Sequence, residues 1–326
     1  MELRTLGHSG LQASAVGLGC NNFGRAGTAS VTQEGTSAVL HAALDAGITF
    51  FDTADIYGGW GTSESLMAEV LRTRREEAVI ATKFGHVEVE TPLDEAGAKG
   101  SRAYVRAAVD ASLTRLGVDH IDLFQQHMPD PSVPIEETLA ALAELVVEGK
   151  ILAYGHSQFT AEQLRRADAV AAELGVAPFA TSQDELSLIA RAVETDGRLD
   201  AAAEAGMAFL PFFPLANGLF TGKFTRTERP EDARITRIRP HIADDADWDA
   251  MEAYQALCEG WGITMLEATV GWFLAKPAVG SVIAGATRPE QVVANAAAAS
   301  AWSPTAEDIA AIDALFPATG ASPSGT

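Results

Sequence analysis

The strongest constraint on how this chain can fold is a recurring alternation. A short, apolar, β-rich run is followed by an amphipathic helical pattern, and then by another run. The runs are AVGLG (15–19), TFFDT (49–53), AVIAT (78–82), IDLFQQ (121–126), ILAYG (151–155), FATSQ (179–183), MAFLPF (207–212) and VGSVIA (279–284). Helical periodicity covers about 32–46, 63–73, 101–116, 134–148, 160–174, 191–205, 244–261 and 264–275, with two further segments at 288–299 and 305–315 after the last run. Short strands that are apolar on both faces belong to a parallel sheet covered by helices. Eight such units fit a closed (β/α)8 TIM barrel of the α/β class best, and a doubly wound sheet is the alternative. The boundaries carry their own signals. Ser63 opens a helix, Pro134 sits at a first helical position with Glu136 and Glu137 behind it, and Thr160 precedes AEQL. Gly47, Gly117, Gly149 and Gly175 stand where helices end. LRTLGHSGLQAS reads as a leading N-terminal β-hairpin turning at Gly7 to Gly10. The expected organisation is one barrel domain over 1–315, with 316–326 a disordered tail.

Charge narrows the function. The formal net charge is −21, so no basic footprint suits a nucleic acid or an anionic membrane, and an anionic ligand needs a local cationic pocket. The cysteines, Cys20 and Cys258, form no CxxC, which suggests a reducing compartment and no disulfide framework. MELRTLGHSG lacks the apolar core of a signal peptide, and there is no uninterrupted apolar span of membrane length. A soluble cytoplasmic protein is expected. The longest irregular stretch, 216–243, follows the seventh strand and reads as a lid or binding loop. It is locally basic, with Lys223, Arg226, Arg229, Arg234, Arg237 and Arg239.

In a parallel barrel the C-terminal strand ends open on one face, where sites are built. Just past the second, third and fourth strands stand Asp52 and Tyr57, then Lys83, then His127. A phenol ordinarily titrates near 10 and donates protons poorly. A buried lysine beside it favours phenolate, and a carboxylate on that lysine keeps the ammonium charged and aimed. Together they make a usable acid or base, with the imidazole free to donate to a polarised oxygen. Each residue alone reads more simply, as a solvated charge, a packed imidazole or a loop aromatic. Their joint placement on neighbouring strand ends carries the weight.

FDTADIYG, ATKFG, IDLFQQHMPDPSVPIEETLAAL and QDELSLIAR closely resemble aldo-keto reductases, from the leading hairpin to about residue 315. The resemblance implies a (β/α)8 barrel that reduces aldehydes or ketones with a nicotinamide cofactor. Asp52, Tyr57, Lys83 and His127 match the family's catalytic tetrad, with Tyr57 as general acid. It also implies NADPH, with NADH as the alternative. GHSQF would place Ser157 and Gln158 on the carboxamide, together with Gln183. Phe212 would stack on the nicotinamide. Pro214, Leu215, Gly218 and Lys223 would follow the pyrophosphate. Gly285, Thr287, Arg288, Gln291 and Asn295 would hold the adenosine phosphate, at a helix start suited to anions. Gln158 replaces the family's usual Asn, and Phe212 its usual Tyr or Trp. Adjacency makes Trp60, Phe84, His86 and Met128 candidates to line the substrate mouth, which would favour apolar carbonyl substrates.

Competing readings are weaker. One is a nicotinamide-nucleotide-binding regulatory or sensor module with little turnover. A metal hydrolase is disfavoured because His8, His41, His86, His120, His156 and His241 form no HxH or HExxH. A glycosidase needs facing carboxylates, and only Asp52 and Glu185 offer themselves. His156 reads as an imidazole turned toward the helix layer. VGLGCNNFG lacks the spacing of a dinucleotide fingerprint. No metal site is expected, and the expected partner is a small carbonyl compound.

Overall fold

The computed structural model of the chain describes residues 1–231 and 233–318. All the anticipated strands form. A hairpin of β1 (Leu3–Thr5) and β2 (Gln12–Ser14) precedes β3 (Val16–Gly19), β4 (Phe50–Asp52), β5 (Val79–Phe84), β6 (Ile121–Gln126), β7 (Ile151–Ser157), β8 (Thr181–Glu185), β9 (Ala208–Phe212) and β10 (Val282–Gly285). Strands β3 to β10 pair in parallel, each with the next, and β10 pairs with β3 to close the barrel. The doubly wound alternative is therefore excluded.

The outer layer is α1 (Gln33–Asp45), α2 (Thr62–Arg74), α3 (Arg102–Leu116), α4 (Ile135–Val147), α5 (Ala161–Leu174), α6 (Arg198–Glu204), α7 (Arg234–Ile238), α8 (His241–Asp244), α9 (Trp248–Trp261), α10 (Met265–Leu274), α11 (Pro289–Ala301) and α12 (Ala306–Leu315). Thr160 caps α5 through a reciprocal bond with Gln163, as its sequence context suggested. Gly47, Gly117, Gly149 and Gly175 all take positive φ at helix ends.

Strand periodicity builds the site. Side chains alternate between lumen and helix layer. In β4, Phe50 joins the inner cluster and Phe51 the outer one, so Asp52 returns to the lumen. In β5, Ile80 packs outward and Ala81 inward, which aims Lys83 inward; in β6, Leu123 lies inside and Phe124 outside, which aims Gln125 inward. The register places Asp52 opposite Ala81 and Lys83 opposite Gln125. Polar groups thus form a layer above Phe50, Ala81 and Leu123. Full burial of each large apolar side chain contributes about 1.5–3 kcal/mol, which anchors that register. Leu6 and Ala13 of the hairpin join the same inner cluster and seal the opposite end.

Four local expectations change. Ser63 does not cap α2: the helix follows the left-handed Gly61, and the buried Ser63 hydroxyl pairs with Thr53 Oγ1 (2.8 Å) and donates to the Cys20 carbonyl (2.9 Å). The helix read over 191–205 is a short 3-10 turn and then α6, because Gly197 at φ 82° interrupts it and the Asp196 side chain accepts from the Arg198 amide. The stretch 216–243 is more ordered than expected, with a 3-10 segment (Ala216–Thr221), α7 and α8. Phe316, assigned to the tail, packs on Phe220 and Tyr254, while 319–326 lies outside the described residues. Among the described residues no helix is long and apolar enough to cross a membrane, and no cluster of His, Cys, Asp and Glu could hold a metal. Cys20 and Cys258 are free and buried.

Candidate active site

At the C-terminal mouth of the barrel, Lys83 Nζ lies 2.7 Å from Asp52 Oδ2, 2.9 Å from the Thr53 carbonyl and 3.4 Å from the Tyr57 hydroxyl. An ammonium has three protons, and here each has an acceptor, so both the position and the orientation of the charge are fixed. Lys83 is fully buried and Asp52 nearly so. The other carboxylate oxygen, Asp52 Oδ1, accepts from Gln183 Nε2 (2.9 Å) and, at 3.4 Å, from Gln125 Nε2. Burial alone would discharge the lysine. Asp52 and then Tyr57 outweigh it and hold the ammonium above its usual range.

The tyrosine departs from expectation. Burial pushes the Tyr57 phenol above its usual value, and the lowering by Lys83 only partly offsets this. The hydroxyl therefore stays protonated at neutral pH. That is the form needed for proton donation, and Lys83 is placed to stabilise the phenolate left behind. His127 lies edge-on to Tyr57, with centroids 5.8 Å apart, and edge-on to His86 at 4.8 Å. Burial, then Lys83 and His86, pushes the His127 imidazole well below its usual range. It is neutral, and its Nδ1 is buried without a partner.

These groups open into a cavity of about 840 Å³. Its wall includes Asp52, Tyr57 and His127, and every residue expected to hold the cofactor: Ser157, Gln158, Gln183, Phe212, Pro214, Leu215, Gly218, Lys223, Gly285, Thr287, Arg288, Gln291 and Asn295. The wall fits a dinucleotide. Side-chain amides and a hydroxyl gather near the tetrad, while Lys223, Arg288 and the start of α11 lie along the rest. Gly218 holds φ 107°, a backbone conformation that L side chains rarely adopt, beside Lys223 on the same wall. Both side-chain polar atoms of Asn217, on the same wall, are buried without partners. Gln158 adopts φ 62° and reaches the His127 carbonyl at 3.4 Å, so its extra methylene is taken up by a contact within the protein.

The substrate side differs from the sequence reading. His86 and Met128 line the cavity, but Trp60 and Phe84 do not. Phe84 is fully buried and stacked on Phe124 at 4.7 Å, because its place in β5 turns it to the helix layer. Trp60 lies under the Arg115 guanidinium at 4.5 Å. The sequence reading missed Asn21, Asn22 and Arg25 in the loop after β3, and Glu88 after β5. Of the basic stretch, Lys223, Arg234, Arg237 and Arg239 face the cavity, whereas Arg226 pairs with Asp249 and Glu252 on the surface. The wall thus carries cationic side chains that adjacency did not suggest. His156 is buried among Phe159 and Phe179, away from the cavity.

Comparison with known proteins agrees with this architecture. The model of the aldo/keto reductase family matches residues 15–316. The chain belongs to the aldo-keto reductase family. It is 33% identical to the L-glyceraldehyde 3-phosphate reductase of Escherichia coli O157:H7, over 96% of this chain and 92% of that protein. It is 34% identical to "Probable aldo-keto reductase 1" of Glycine max, over 82% and 76%. It is also 29% identical to "Probable voltage-gated potassium channel subunit beta" of Oryza sativa subsp. japonica, over 90% of each. This aldo-keto reductase is an oxidoreductase acting on aldehydes or ketones with a nicotinamide cofactor.

Proposed function

We propose that this reductase uses NADPH to convert small aldehydes and ketones to alcohols, with Tyr57 as the general acid. The observation that carries the reading is the Lys83 ammonium, shared between Asp52, Thr53 and the Tyr57 hydroxyl at one end of the cavity. A bound nicotinamide would supply the hydride. The protein's part is then electrostatic and positional. The neutral His127 donates a hydrogen bond to the carbonyl oxygen and polarises it without adding a charge. Tyr57 delivers its proton to that oxygen as negative charge develops. The fixed ammonium meets the charge that appears on the phenol, and Asp52, held by Gln183 and Gln125, keeps the ammonium in place. Ser157, Gln158 and Phe212 would orient the nicotinamide. The preference for NADPH rests on Lys223 and Arg288 along the phosphate end of the wall.

The test is oxidation of NADPH and NADH with glyceraldehyde, butanal and 4-nitrobenzaldehyde, for the wild type and Tyr57→Phe, with cofactor binding followed by fluorescence. Turnover that falls about 10²–10⁴-fold in the variant while NADPH still binds supports the role of Tyr57. Equal turnover in both proteins removes it. Tight NADPH binding with no turnover in either favours a regulatory role, consistent with the similarity to a protein named as a channel subunit.

A further inference from the structure

The segment after β9 keeps an unusual backbone. Phe213, Ala216 and Asn217 are left-handed, at φ 53°, 45° and 58°, and Gly218 stands at φ 107°. A left-handed residue other than glycine is strained, and persists only where its surroundings over-determine it. Leu215 and Gly218 of this segment line the cavity, but Phe220 does not. Phe220 is fully buried, edge-on to Tyr254 of α9 and to Phe316, with ring centroids 5.9 and 5.4 Å apart. Tyr254 and Phe316 are edge-on in turn, at 5.5 Å. Three rings from distant parts of the chain thus close a triangle that includes the loop's own Phe220.

Phe316 is itself fastened. It follows α12 directly, and its carbonyl accepts from Arg191 Nη1 at 2.7 Å. The same nitrogen donates to Asp313 Oδ1 at 2.7 Å, and that oxygen also accepts from Trp272 Nε1 at 3.0 Å. Arg191, in the segment after β8, is nearly buried. Its Nε donates to Glu194, and its guanidinium carbon lies 5.1 Å from the Trp272 ring centroid. Glu194 in turn accepts from Lys276 Nζ at 2.8 Å. A guanidinium presents its donors in a rigid fork, so these contacts fix the direction of the end of α12 as well as its position. None of Arg191, Phe220, Tyr254, Asp313 and Phe316 stands on the cavity wall. Any effect of this network on a bound molecule must therefore pass through the loop.

We propose that Phe316, fastened by Arg191, is a positioning residue for the nicotinamide nucleotide. It holds Phe220, and through Phe220 the left-handed turn at 216–218, in the shape that presents Leu215 and Gly218 to the cofactor. The end of α12 then sets how tightly the nucleotide is held without touching it. The inference rests on the reading that Leu215 and Gly218 follow the cofactor's pyrophosphate. Without the Phe316 ring the turn relaxes toward unstrained backbone, and apparent affinity falls with the fraction of molecules that keep the binding shape.

The measurement is the dissociation constant and release rate of NADPH and NADH, by fluorescence titration and stopped flow, in the wild type, Phe316→Ala, Phe316→Leu and Phe220→Leu. Beside it run kcat and KM for 4-nitrobenzaldehyde at saturating nucleotide. Phe316→Ala is expected to weaken nucleotide binding about tenfold, the worth of an aromatic pair, through faster release. At saturating nucleotide kcat should not fall and KM for the aldehyde should hold, because the tetrad keeps all its partners. Phe316→Leu should recover part of the affinity by refilling the space. Phe220→Leu should weaken binding likewise, and adding Phe316→Leu to it should change little more, since the two rings act through one contact. Thermal melting reports whether each variant is folded at the assay temperature, and the leucine variants carry the same test if Phe316→Ala does not fold. A lower melting temperature with unchanged nucleotide binding would make the clamp a matter of stability alone and overturn the proposal. A fall in kcat that matches the loss of affinity also overturns it, as do additive effects of the two leucine substitutions. A wild type that binds neither nucleotide defeats the cofactor reading as well.

Discussion

Asp55 lies between Asp52 and Tyr57, and its carboxyl group is buried with both oxygens unpartnered. Its backbone is fully used: the amide donates to the Lys83 carbonyl at 3.1 Å, and its own carbonyl accepts from Gly61 at 2.6 Å. The carboxyl is pushed up to about 7, chiefly by burial and then by Glu64, against the pull of Arg115, Lys99 and Lys83. An unfolded aspartate titrates near 3.9, and each pH unit of displacement is worth about 1.4 kcal/mol, so ionising Asp55 costs the native state about 4 kcal/mol. The native protein binds this proton more tightly than the unfolded chain. The stability it contributes is therefore complete below about pH 4 and lost as pH rises through about 7. Between pH 5 and pH 8 the loss amounts to about 3 kcal/mol. Asp55→Asn keeps the shape and removes the titration. Urea denaturation of both proteins at pH 5 and pH 8 isolates the effect, because every other titrating group is common to both and cancels. The variant should gain about 3 kcal/mol on the wild type between the two conditions. Parallel pH dependences would refute the reasoning and mean that the carboxyl is hydrated or paired in solution. The expected result would show that the turn presenting Tyr57 is held at a cost in stability, as functional sites often are.

Lys83→Met should lower carbonyl reduction by about 10²–10⁴-fold. It should also destabilise the fold by about 3–5 kcal/mol, because Asp52 would remain buried with only amide partners; calorimetry and steady-state kinetics check the two effects separately. The raised Tyr57 phenol sets a direction for pH. Reduction needs the protonated form, so its rate should hold through neutral pH and fall only on the alkaline side. Alcohol oxidation needs the phenolate and should climb with pH, and an oxidation optimum at or below neutrality would contradict the assignment. In β7, a Cβ at Gly155 would sit 2.0 Å from Thr181 Oγ1. Gly155→Ala should therefore cost about 1–3 kcal/mol through overpacking, read as a lower urea midpoint.

Much of the barrel was legible in the sequence because its cause is local. Runs such as AVIAT are apolar on both faces, and strands buried on both faces belong to a parallel sheet under helices. The period of two that places Phe50 inside and Phe51 outside also aims Asp52, Lys83 and Gln125 at the lumen, so Asp52, Tyr57, Lys83 and His127 could be gathered at one rim from strand ends, while their catalytic roles came only from the resemblance. Helix starts were less secure. Thr160 caps as expected, but Ser63 spends its hydroxyl on Thr53 and Cys20, partners that exist only once β3, β4 and α2 have packed.

What remained was decided by contacts between segments far apart in the chain. Proximity in sequence suggested Phe84 and Trp60 for the substrate side, but strand orientation turned Phe84 outward and Arg115 covered Trp60. Arg25 is separated from Arg234 by most of the barrel in sequence, and nothing local marks the two as neighbours. The sign of the Tyr57 shift was hidden for the same reason. A sequence shows that a lysine is near, but how much water the fold removes from the phenol is a property of the closed barrel, and here that desolvation outweighs the lysine. The sequence by itself determined the strand–helix order and the chemistry delivered to the rim. Only the tertiary structure decided the charge, depth and partners of those groups, because burial and electrostatics depend on everything packed around them.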